Sequence, residues 1–209
     1  MVKVKICGFT VRRDIEDALS LGIDIIGINF YGKSPRYVPV ERAERLLENL
    51  PCGLMSIGVF VNPDEKTLFE SMAALNLSGV QLHGDEPPEL VGKIKKGFPG
   101  TIVIKALSPK NEKDLLSGIE KYKPDFFLMD AYDGKIRGGT GKRINSELLK
   151  KSGLPWSKIF LAGGITPENV KDVLKGFSPY GIDVASGVES SPGRKDREKI
   201  RKLLENIHG

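Results

Sequence analysis

Eight short runs rich in valine and isoleucine recur along the chain, and longer segments with helical spacing of apolar residues separate them. Parallel strands require a crossover, usually a helix, so this alternation predicts βα units around a parallel sheet. An open doubly wound sheet usually has about five or six strands, whereas eight successive units favour closure of the sheet. The sequence therefore predicts an α/β fold, a (β/α)₈ barrel with a closed sheet of eight parallel strands. The predicted strands are Val2–Cys7, Asp24–Phe30, Met55–Val61, Gly79–Leu82, Thr101–Lys105, Asp125–Met129, Lys158–Leu161 and Gly181–Val184.

The connecting segments carry signals for helix starts. Thr10 precedes an apolar stripe and is expected to cap the first helix. Asn62-Pro63 and Thr166-Pro167 each combine a capping side chain with a proline that suits the first helical turn, so both pairs predict helix starts. No linker interrupts the alternation, and we expect a single domain over residues 1–209.

Composition is typical of a soluble globular protein, with 40% hydrophobic and 28% charged residues. No apolar stretch approaches the roughly 18 residues of a membrane-spanning helix, so no membrane partner is expected. The N-terminal MVKVKICG lacks the apolar region and cleavage site of a signal peptide. We therefore expect a cytoplasmic protein in which Cys7 and Cys52 are free thiols.

The net charge of +5 raises the question of an acidic partner. Lysine and arginine are interleaved with acids rather than gathered in a block, and no RNA-binding motif is present, so nucleic acid is not an expected partner. A small anionic substrate fits the same bias. His83 and His208 are the only histidines, and no metal-ligand cluster is expected.

Glycine-bearing loops follow the last two predicted strands. In a barrel of this kind the active site is built from the loops after the strands, and glycine-rich turns there often bind a phosphate. The two loops are LAGGITPENV and DVASGVE; in the second, Ser186 and Glu189 have capping-box spacing, which predicts a short extra helix aimed at the phosphate. A third loop, residues 138–141, would close over the same group. Each loop alone is better explained by a tight turn, but all three at one rim indicate a phosphate site.

Cys7 ends the first predicted strand. If Val2, Val4 and Ile6 face the helices, the thiol points into the mouth of the barrel, where its thiolate would act as nucleophile or base. The alternative is a buried thiol that behaves as a small apolar side chain, as free cysteines commonly do.

Asp130 and Arg36 also follow predicted strands. Asp130 comes after an apolar run, and nonpolar surroundings favour the protonated carboxyl, which suits a general acid. Its alternatives are to cap its own loop or to pair with Arg137. The planar guanidinium of Arg36 suits a carboxylate, although a solvated surface arginine is equally consistent with its position.

Nine strings of residues resemble the phosphoribosylanthranilate isomerase family of tryptophan biosynthesis, and together they span nearly the whole chain. They are KICGFT (5–10), SPR (34–36), VFVN (59–62), VQLHGDE (80–86), IKA (104–106), LMD (128–130), GGTGK (138–142), LAGGITPENV (161–170) and DVASGVESSPGRKD (183–196). One departure is Ala185, where a serine is frequent in the family.

The resemblance implies an Amadori rearrangement of N-(5-phosphoribosyl)anthranilate to 1-(2-carboxyphenylamino)-1-deoxyribulose 5-phosphate, without metal or organic cofactor. It implies that Asp130 is the general acid for ring opening, that Cys7 is the general base at C2, and that Arg36 binds the anthranilate carboxylate. The remaining residues implied by the resemblance are Gln81, His83 and Asp183 for the substrate, and Gly139, Gly141, Gly163, Gly164, Ser186 and Gly187 for its phosphate.

Other functions remain as alternatives at the level of sequence. A related histidine-pathway isomerase relies on two aspartates, whereas here the first strand ends in cysteine. A metal-dependent pentose-phosphate epimerase needs more histidines than this chain has. A non-catalytic phosphate-binding or nucleic-acid-binding module would not need both Cys7 and Asp130. The sequence allows a monomer or a homodimer, with Met55 or residues 29–37 as a dimer contact.

Overall fold

The computed structural model describes residues 1–130, 153 and 156–209. Eight parallel strands form a closed barrel in sequence order, and β1 pairs with β8 to complete the ring. The predicted barrel is therefore confirmed, and the strands differ from the predicted ones only at their ends. They are β1 (Lys3–Cys7), β2 (Ile25–Asn29), β3 (Met55–Phe60), β4 (Gly79–Leu82), β5 (Ile102–Leu107), β6 (Phe126–Met129), β7 (Ile159–Leu161) and β8 (Gly181–Val184).

Helices follow most of the strands and pack outside the barrel. They are α1 (Arg12–Ser20), α2 (Val40–Leu47), α3 (Glu65–Leu75), α4 (Glu89–Gly97), α5 (Glu112–Lys121), α6 (Val170–Lys175) and α7 (Arg197–His208). Several begin at a side chain that accepts a backbone N–H of the first turn: Asp64 for α3, Asn111 for α5 and Asp196 for α7. Within the described ranges, each helix is too short or too polar to cross a lipid bilayer.

Alternation along the strands separates two apolar layers. Val4 and Ile6 of β1 belong to the large cluster between the strands and the helices. A smaller cluster fills the inside of the barrel, with Ile57, Ile104 and Leu128 among its members. Because successive side chains of a strand point to opposite faces, Lys5 and Cys7 face the interior. The predicted direction of the thiol is confirmed.

A short hairpin follows the last barrel strand. A 3₁₀ turn over Ser186–Val188 leads into β9 (Glu189–Ser191) and β10 (Arg194–Lys195), which pair antiparallel before α7 begins. The hairpin is bound to the loop after β1, because the Thr10 hydroxyl donates to the carbonyl of Gly193 at 2.6 Å. This contact joins the chain just past Cys7 to the segment that follows β8.

Three predicted helix starts are wrong. Thr10 does not cap α1, since its hydroxyl is engaged with Gly193 and the helix begins at Arg12 without a side-chain cap. The Asn62-Pro63 pair precedes α3, which Asp64 caps instead. The Thr166-Pro167 pair forms a turn, and α6 begins only at Val170. In each case the capping side chain either finds a partner elsewhere or lies too early in the chain.

Candidate active site

Cys7 lies at the end of β1, at the mouth of the barrel, and is 8% exposed. Gly27 is its neighbour on β2, and a Cβ atom there would lie 2.9 Å from the Cys7 Sγ atom. A larger residue at position 27 would therefore push the thiol from its position. Cys52 is exposed, and both cysteines are free thiols, as predicted.

A buried ion pair lies one layer below the thiol. Lys5 Nζ donates to Asp183 Oδ1 at 2.8 Å, and these residues are partners in the β1–β8 pairing. The Lys5 side chain has no exposed surface, and that of Asp183 is 8% exposed. Such a pair is stable only if both charges stay, because removal of one leaves the other buried without compensation.

The surroundings of Cys7 act on its ionisation in opposite directions. Burial raises the pKa of the thiol above its ordinary value of 9.0, and the Asp183 carboxylate acts in the same direction. The Lys5 and Lys195 cations lower the pKa, but they do not outweigh burial. Burial would lower the pKa of Lys5 itself, yet the negative charge of Asp183 raises it above its ordinary value. Lys5 therefore stays an ammonium beneath the thiol.

Asp130 follows β6 and is buried beside His83, which is itself partly buried. The Asp130 Oδ2 atom lies 3.4 Å from His83 Nε2, and the other ring nitrogen of His83 lies 2.7 Å from Gln81 Nε2. Gln81 points into the barrel, since its neighbours on β4 belong to the outer apolar cluster. Among the described residues, Gln81 Oε1 and His83 Nε2 are buried without a hydrogen-bond partner. The structure thus brings Gln81, His83 and Asp130 together. The alternative pairing of Asp130 with Arg137 lies outside the described residues.

The loops after β7 and β8 touch each other at Gly187. A Cβ atom there would lie 1.9 Å from the carbonyl oxygen of Ile165, so only glycine permits this approach. Gly163 and Gly164 have positive φ angles of 89° and 65°, in the left-handed region that glycine adopts without strain. Ser186 begins the 3₁₀ turn and is exposed at the same rim.

The predicted capping box in this turn is wrong. The Ser186–Val188 turn has no side-chain cap, and Glu189 bonds to Ser186 only through its backbone N–H, which donates to the Ser186 carbonyl. The carboxylate instead binds Arg36 and Lys195, because two cations are stronger partners than one backbone N–H. The short extra helix itself is present. Gly139 and Gly141 of the third predicted loop lie outside the described residues.

Arg36 is partly buried in the loop after β2, and a surface position is excluded by its 15% side-chain exposure. Its Nε donates to Glu189 Oε1 at 2.8 Å and its Nη2 to Glu189 Oε2 at 2.6 Å. Lys195 Nζ donates to Glu189 Oε1 at 2.7 Å and to the carbonyl of Cys7 at 2.6 Å. Burial alone would raise the pKa of Glu189, but these two cations hold it below its ordinary value.

Lys5 and Lys195 are site residues that the sequence reasoning did not identify. The position of Lys5 could have been predicted from the sequence, because Lys5 lies two residues before Cys7 in the same strand and must point to the same face. Lys195 could not have been predicted in this way, because its contact with Cys7 joins residues 188 positions apart. In the parts of the chain that the structure describes, no group of three or more His, Cys, Asp or Glu side chains could hold a metal ion.

Comparisons with known proteins point to one family. The family model for N-(5'-phosphoribosyl)anthranilate (PRA) isomerase matches residues 4–206. An N-(5'-phosphoribosyl)anthranilate isomerase of Crocosphaera subtropica is 41% identical over 209 residues, which cover 99% of this chain and 98% of that protein. The match therefore extends over nearly the whole length of both chains.

Solved structures agree with the sequence matches. A phosphoribosyl anthranilate isomerase in complex with reduced 1-(o-carboxyphenylamino)-1-deoxyribulose 5-phosphate is 34% identical, with a TM-score of 0.83 and coverage of 99% of this chain and 98% of that one. Monomers generated from the dimeric isomerase of Thermotoga maritima are 33% identical, with the same TM-score and the same coverage. The chain belongs to the N-(5'-phosphoribosyl)anthranilate isomerase family and is an isomerase of tryptophan biosynthesis.

Proposed function

We propose that Cys7 is the general base and Asp130 the general acid of the rearrangement of N-(5-phosphoribosyl)anthranilate. The observation that supports this pair most directly is that both side chains face inward at the same mouth of the barrel, one at the end of β1 and one just after β6. On the shorter way round the ring, β7 and β8 separate these strands. An aldose–ketose conversion needs an acid and a base on different sides of the substrate, and this separation meets that need.

In the first proposed step, the Asp130 carboxylic acid gives its proton to the ribose ring oxygen as the bond from that oxygen to C1 breaks. The nitrogen lone pair forms a C1=N bond, so the open sugar is a protonated Schiff base. In the second step, the Cys7 thiolate removes the proton on C2, and the electron pair forms C1=C2 while the C1=N electrons return to nitrogen. The enol then becomes the 2-ketone as it loses its hydroxyl proton and C1 gains one.

Cys7 must lose its own proton before it can act. Burial raises the pKa of the thiol, while Lys5 and Lys195 oppose that effect. The protonated Schiff base adds a further positive charge next to the thiol, and a nearby positive charge favours the thiolate. Deprotonation of Cys7 is therefore most favourable at the stage when the ring is open and the base is needed.

Gln81 and His83 are proposed to orient the acid and to contact the substrate. With the Gln81 amide nitrogen donating to His83 Nδ1, the ring proton is on Nε2, which lies 3.4 Å from Asp130 Oδ2. The acidic proton of Asp130 then stays available for the ribose ring oxygen. The buried Gln81 and His83 atoms that lack partners among the described residues support a polar ligand at this place.

The remaining substrate groups are assigned to the rim. Arg36 is proposed to bind the anthranilate carboxylate, and Asp183 to accept a substrate hydroxyl with the oxygen that does not face Lys5. The phosphate is proposed to lie at the loops after β6, β7 and β8. Its proposed ligands are Gly139, Gly141, Gly163, Gly164, Ser186 and Gly187. The close approach of Gly187 to the preceding loop supports a single anion site shared by two loops.

The test is the loss of phosphoribosylanthranilate fluorescence on addition of the protein, with Cys7→Ala and Asp130→Asn compared with wild type. A general acid or base usually contributes about 10²- to 10⁴-fold in rate, so each variant should lose that much kcat. Cys52→Ala is the matched control, because it removes an exposed thiol away from the site. An inactive wild type, or two variants near full activity, would refute the mechanism.

Several broader properties are proposed with this function. The substrate is the expected partner, and the reaction as written uses only protein groups, so activity should survive dialysis against EDTA. We propose a single-domain protein that acts in the cytoplasm as a monomer or homodimer, since the related Thermotoga maritima enzyme is dimeric.

A further inference from the structure

Glu189 is more firmly held than any role in the proposed reaction requires. Its Oε1 atom accepts from Arg36 Nε, Lys195 Nζ and the backbone N–H of Gly193, and its Oε2 atom accepts from Arg36 Nη2. The side chain is 4% exposed. A carboxylate with four donors in a buried place is fixed in position, and the groups that bind it are fixed with it.

The cluster carries an unbalanced charge. Lys195 donates to three acceptors, the carbonyls of Cys7 and Ala185 and the carboxylate of Glu189, which is the full donor capacity of an ammonium. Arg36 adds a second cation, and Glu189 is the one carboxylate between them. Burial lowers the pKa of Lys195 below its ordinary value, and the Glu189 carboxylate opposes that effect. With Lys195 protonated, one positive charge is left over at the mouth of the barrel, where a ligand anion would balance it.

The orientation of Arg36 determines where that anion can bind. Glu189 occupies the side edge of the guanidinium, formed by Nε and Nη2, so the terminal edge formed by Nη1 and Nη2 is left for a second carboxylate. The stem of Arg36 crosses Gly8, where a Cβ atom would lie 2.4 Å from Arg36 Cδ. The guanidinium is therefore held directly beside the residue that follows Cys7.

We propose that Glu189 is a positioning residue for substrate recognition: it holds the side edge of Arg36 so that the terminal edge binds the carboxylate on the aromatic ring of the substrate. The positive charge of Lys195 balances the negative charge of Glu189. Lys195 also donates a hydrogen bond to the Cys7 carbonyl, which connects the Arg36–Glu189 pair to the end of β1. This inference rests on the proposed role of Arg36. Selectivity for a carboxylated ring is thus a property of the β9–β10 hairpin as well as of Arg36.

The test measures the binding of two stable ligands by calorimetry. One is reduced 1-(o-carboxyphenylamino)-1-deoxyribulose 5-phosphate, and the other is the same molecule without the ring carboxyl group. Glu189→Gln should raise the dissociation constant of the carboxylated ligand about ten- to one-hundred-fold, which is the usual contribution of a hydrogen bond to a charged group. The dissociation constant of the ligand without the carboxyl group should stay within about twofold of the wild-type value. In steady-state kinetics the same variant should raise KM for the natural substrate and keep kcat within about twofold. The reason is that Arg36 binds the ring carboxylate equally strongly in the ground state and in the transition state.

Two further variants make the result decisive. Glu189→Gln leaves two cations without their shared anion, so Glu189→Gln/Lys195→Met is measured as well, and the same selective loss is expected. Glu65→Gln, in an exposed ion pair with Lys93, is the matched control and should bind both ligands as wild type does.

Equal weakening of both ligands would overturn the proposal, because it would mean that Glu189 only maintains the shape of the site. Unchanged binding of both ligands would overturn it as well. A wild-type protein that binds neither ligand would refute the proposed function, and this inference with it.

Discussion

The Cys7 thiol is a buried group whose ionisation depends on a few charged neighbours. Burial is the largest influence and raises its pKa, Asp183 acts in the same direction, and Lys5 and Lys195 act against both. A thiol with a raised pKa is mostly protonated at neutral pH, so the proposed base is in its inactive, protonated form before substrate binds. Changing one neighbouring charge should then change the fraction of thiolate directly.

Alkylation of Cys7 should reveal this balance. In a Cys52→Ser background, the rate with iodoacetamide should increase about tenfold per pH unit and still be rising above pH 9.0, because only the thiolate reacts. Lys5→Met removes a cation that lowers the pKa and frees Asp183 to raise it, so the whole profile should move to higher pH. Lys5→Met/Asp183→Asn controls for the unpaired carboxylate. A rate that is level below pH 8, or a profile that Lys5→Met leaves in place, would contradict this account.

At the scale of residues, the sequence predicts which way a side chain points better than it predicts which distant residues the side chain contacts. The alternation of Val4 and Ile6 with Lys5 and Cys7 is local, so the inward direction of the thiol could be predicted correctly. The cation that binds its carbonyl comes from Lys195, and no local pattern connects positions 188 residues apart. For the same reason the partner of Glu189 was predicted wrongly.

At the scale of elements, the loops after β7 and β8 pack closely against each other at the mouth of the barrel. Gly187 meets the carbonyl of Ile165 and, at 3.1 Å from a hypothetical Cβ, the Cα atom of Thr166. These are backbone atoms, which cannot turn aside as a side chain can. The two loops are therefore held in one relative position, and that position presents the backbone groups of both loops to the same space.

Gly187→Ala should separate the two loops. We expect KM to rise about tenfold or more and the free energy of unfolding to fall by about 1–3 kcal/mol, the usual cost of overpacking. Competition by inorganic phosphate and urea denaturation would measure the two effects. Gly92→Ala is the matched control, because nothing lies within 4 Å of a Cβ there, and a helical alanine stabilises by about 0.5–1 kcal/mol. Phosphate inhibition that is the same in Gly187→Ala and wild type would rule out a phosphate site at these loops.

The helix starts show why elements can be recognised while their ends cannot. Asn62 has the right chemistry for a cap, but its φ angle is +47° and its Oδ1 accepts from the N–H of Asp85 at 2.6 Å. Asp64, two residues later, then caps α3 by accepting from Thr67. The eight βα units can be predicted from the periodicity of apolar residues within each segment. The residue that caps a helix, in contrast, depends on which candidate side chain already forms a hydrogen bond with a distant loop.

At the scale of the whole molecule, stability depends on buried ion pairs in addition to apolar burial. Lys105 and Glu86 are each 1% exposed, and Lys105 Nζ donates to the Glu86 carboxylate at 2.8 Å and to the carbonyl of Gly84 at 2.7 Å. Glu86 also accepts from the N–H groups of Asn62 and Gly84. The pair therefore joins the loops after β3 and β4 to the strand β5, outside the ring of strands.

Lys105→Met should destabilise the whole fold. It leaves the Glu86 carboxylate buried without its cation, which typically costs about 3–5 kcal/mol in the free energy of unfolding. Lys93→Met is the matched control, since it breaks a lysine–glutamate pair with Glu65 that is about half exposed and should cost at most about 1 kcal/mol. Urea denaturation monitored by circular dichroism gives both values. Equal losses in the two variants would show that burial of the pair has no particular importance.

The closure of the ring also sets the order in which a newly made chain can become active. Lys5 meets Asp183 across 178 positions, and Cys7 meets Lys195 across 188. Synthesis runs from the N-terminus, so the strand that bears the thiol leaves the ribosome first and its neighbour β8 and the hairpin leave near the end. Throughout most of translation the thiol and Lys5 are present without Asp183, without Lys195 and without the final pairing of β1 with β8. A polypeptide released early can contain most of the helices and strands and still have no assembled site, so catalysis begins only when the ends of the chain have met.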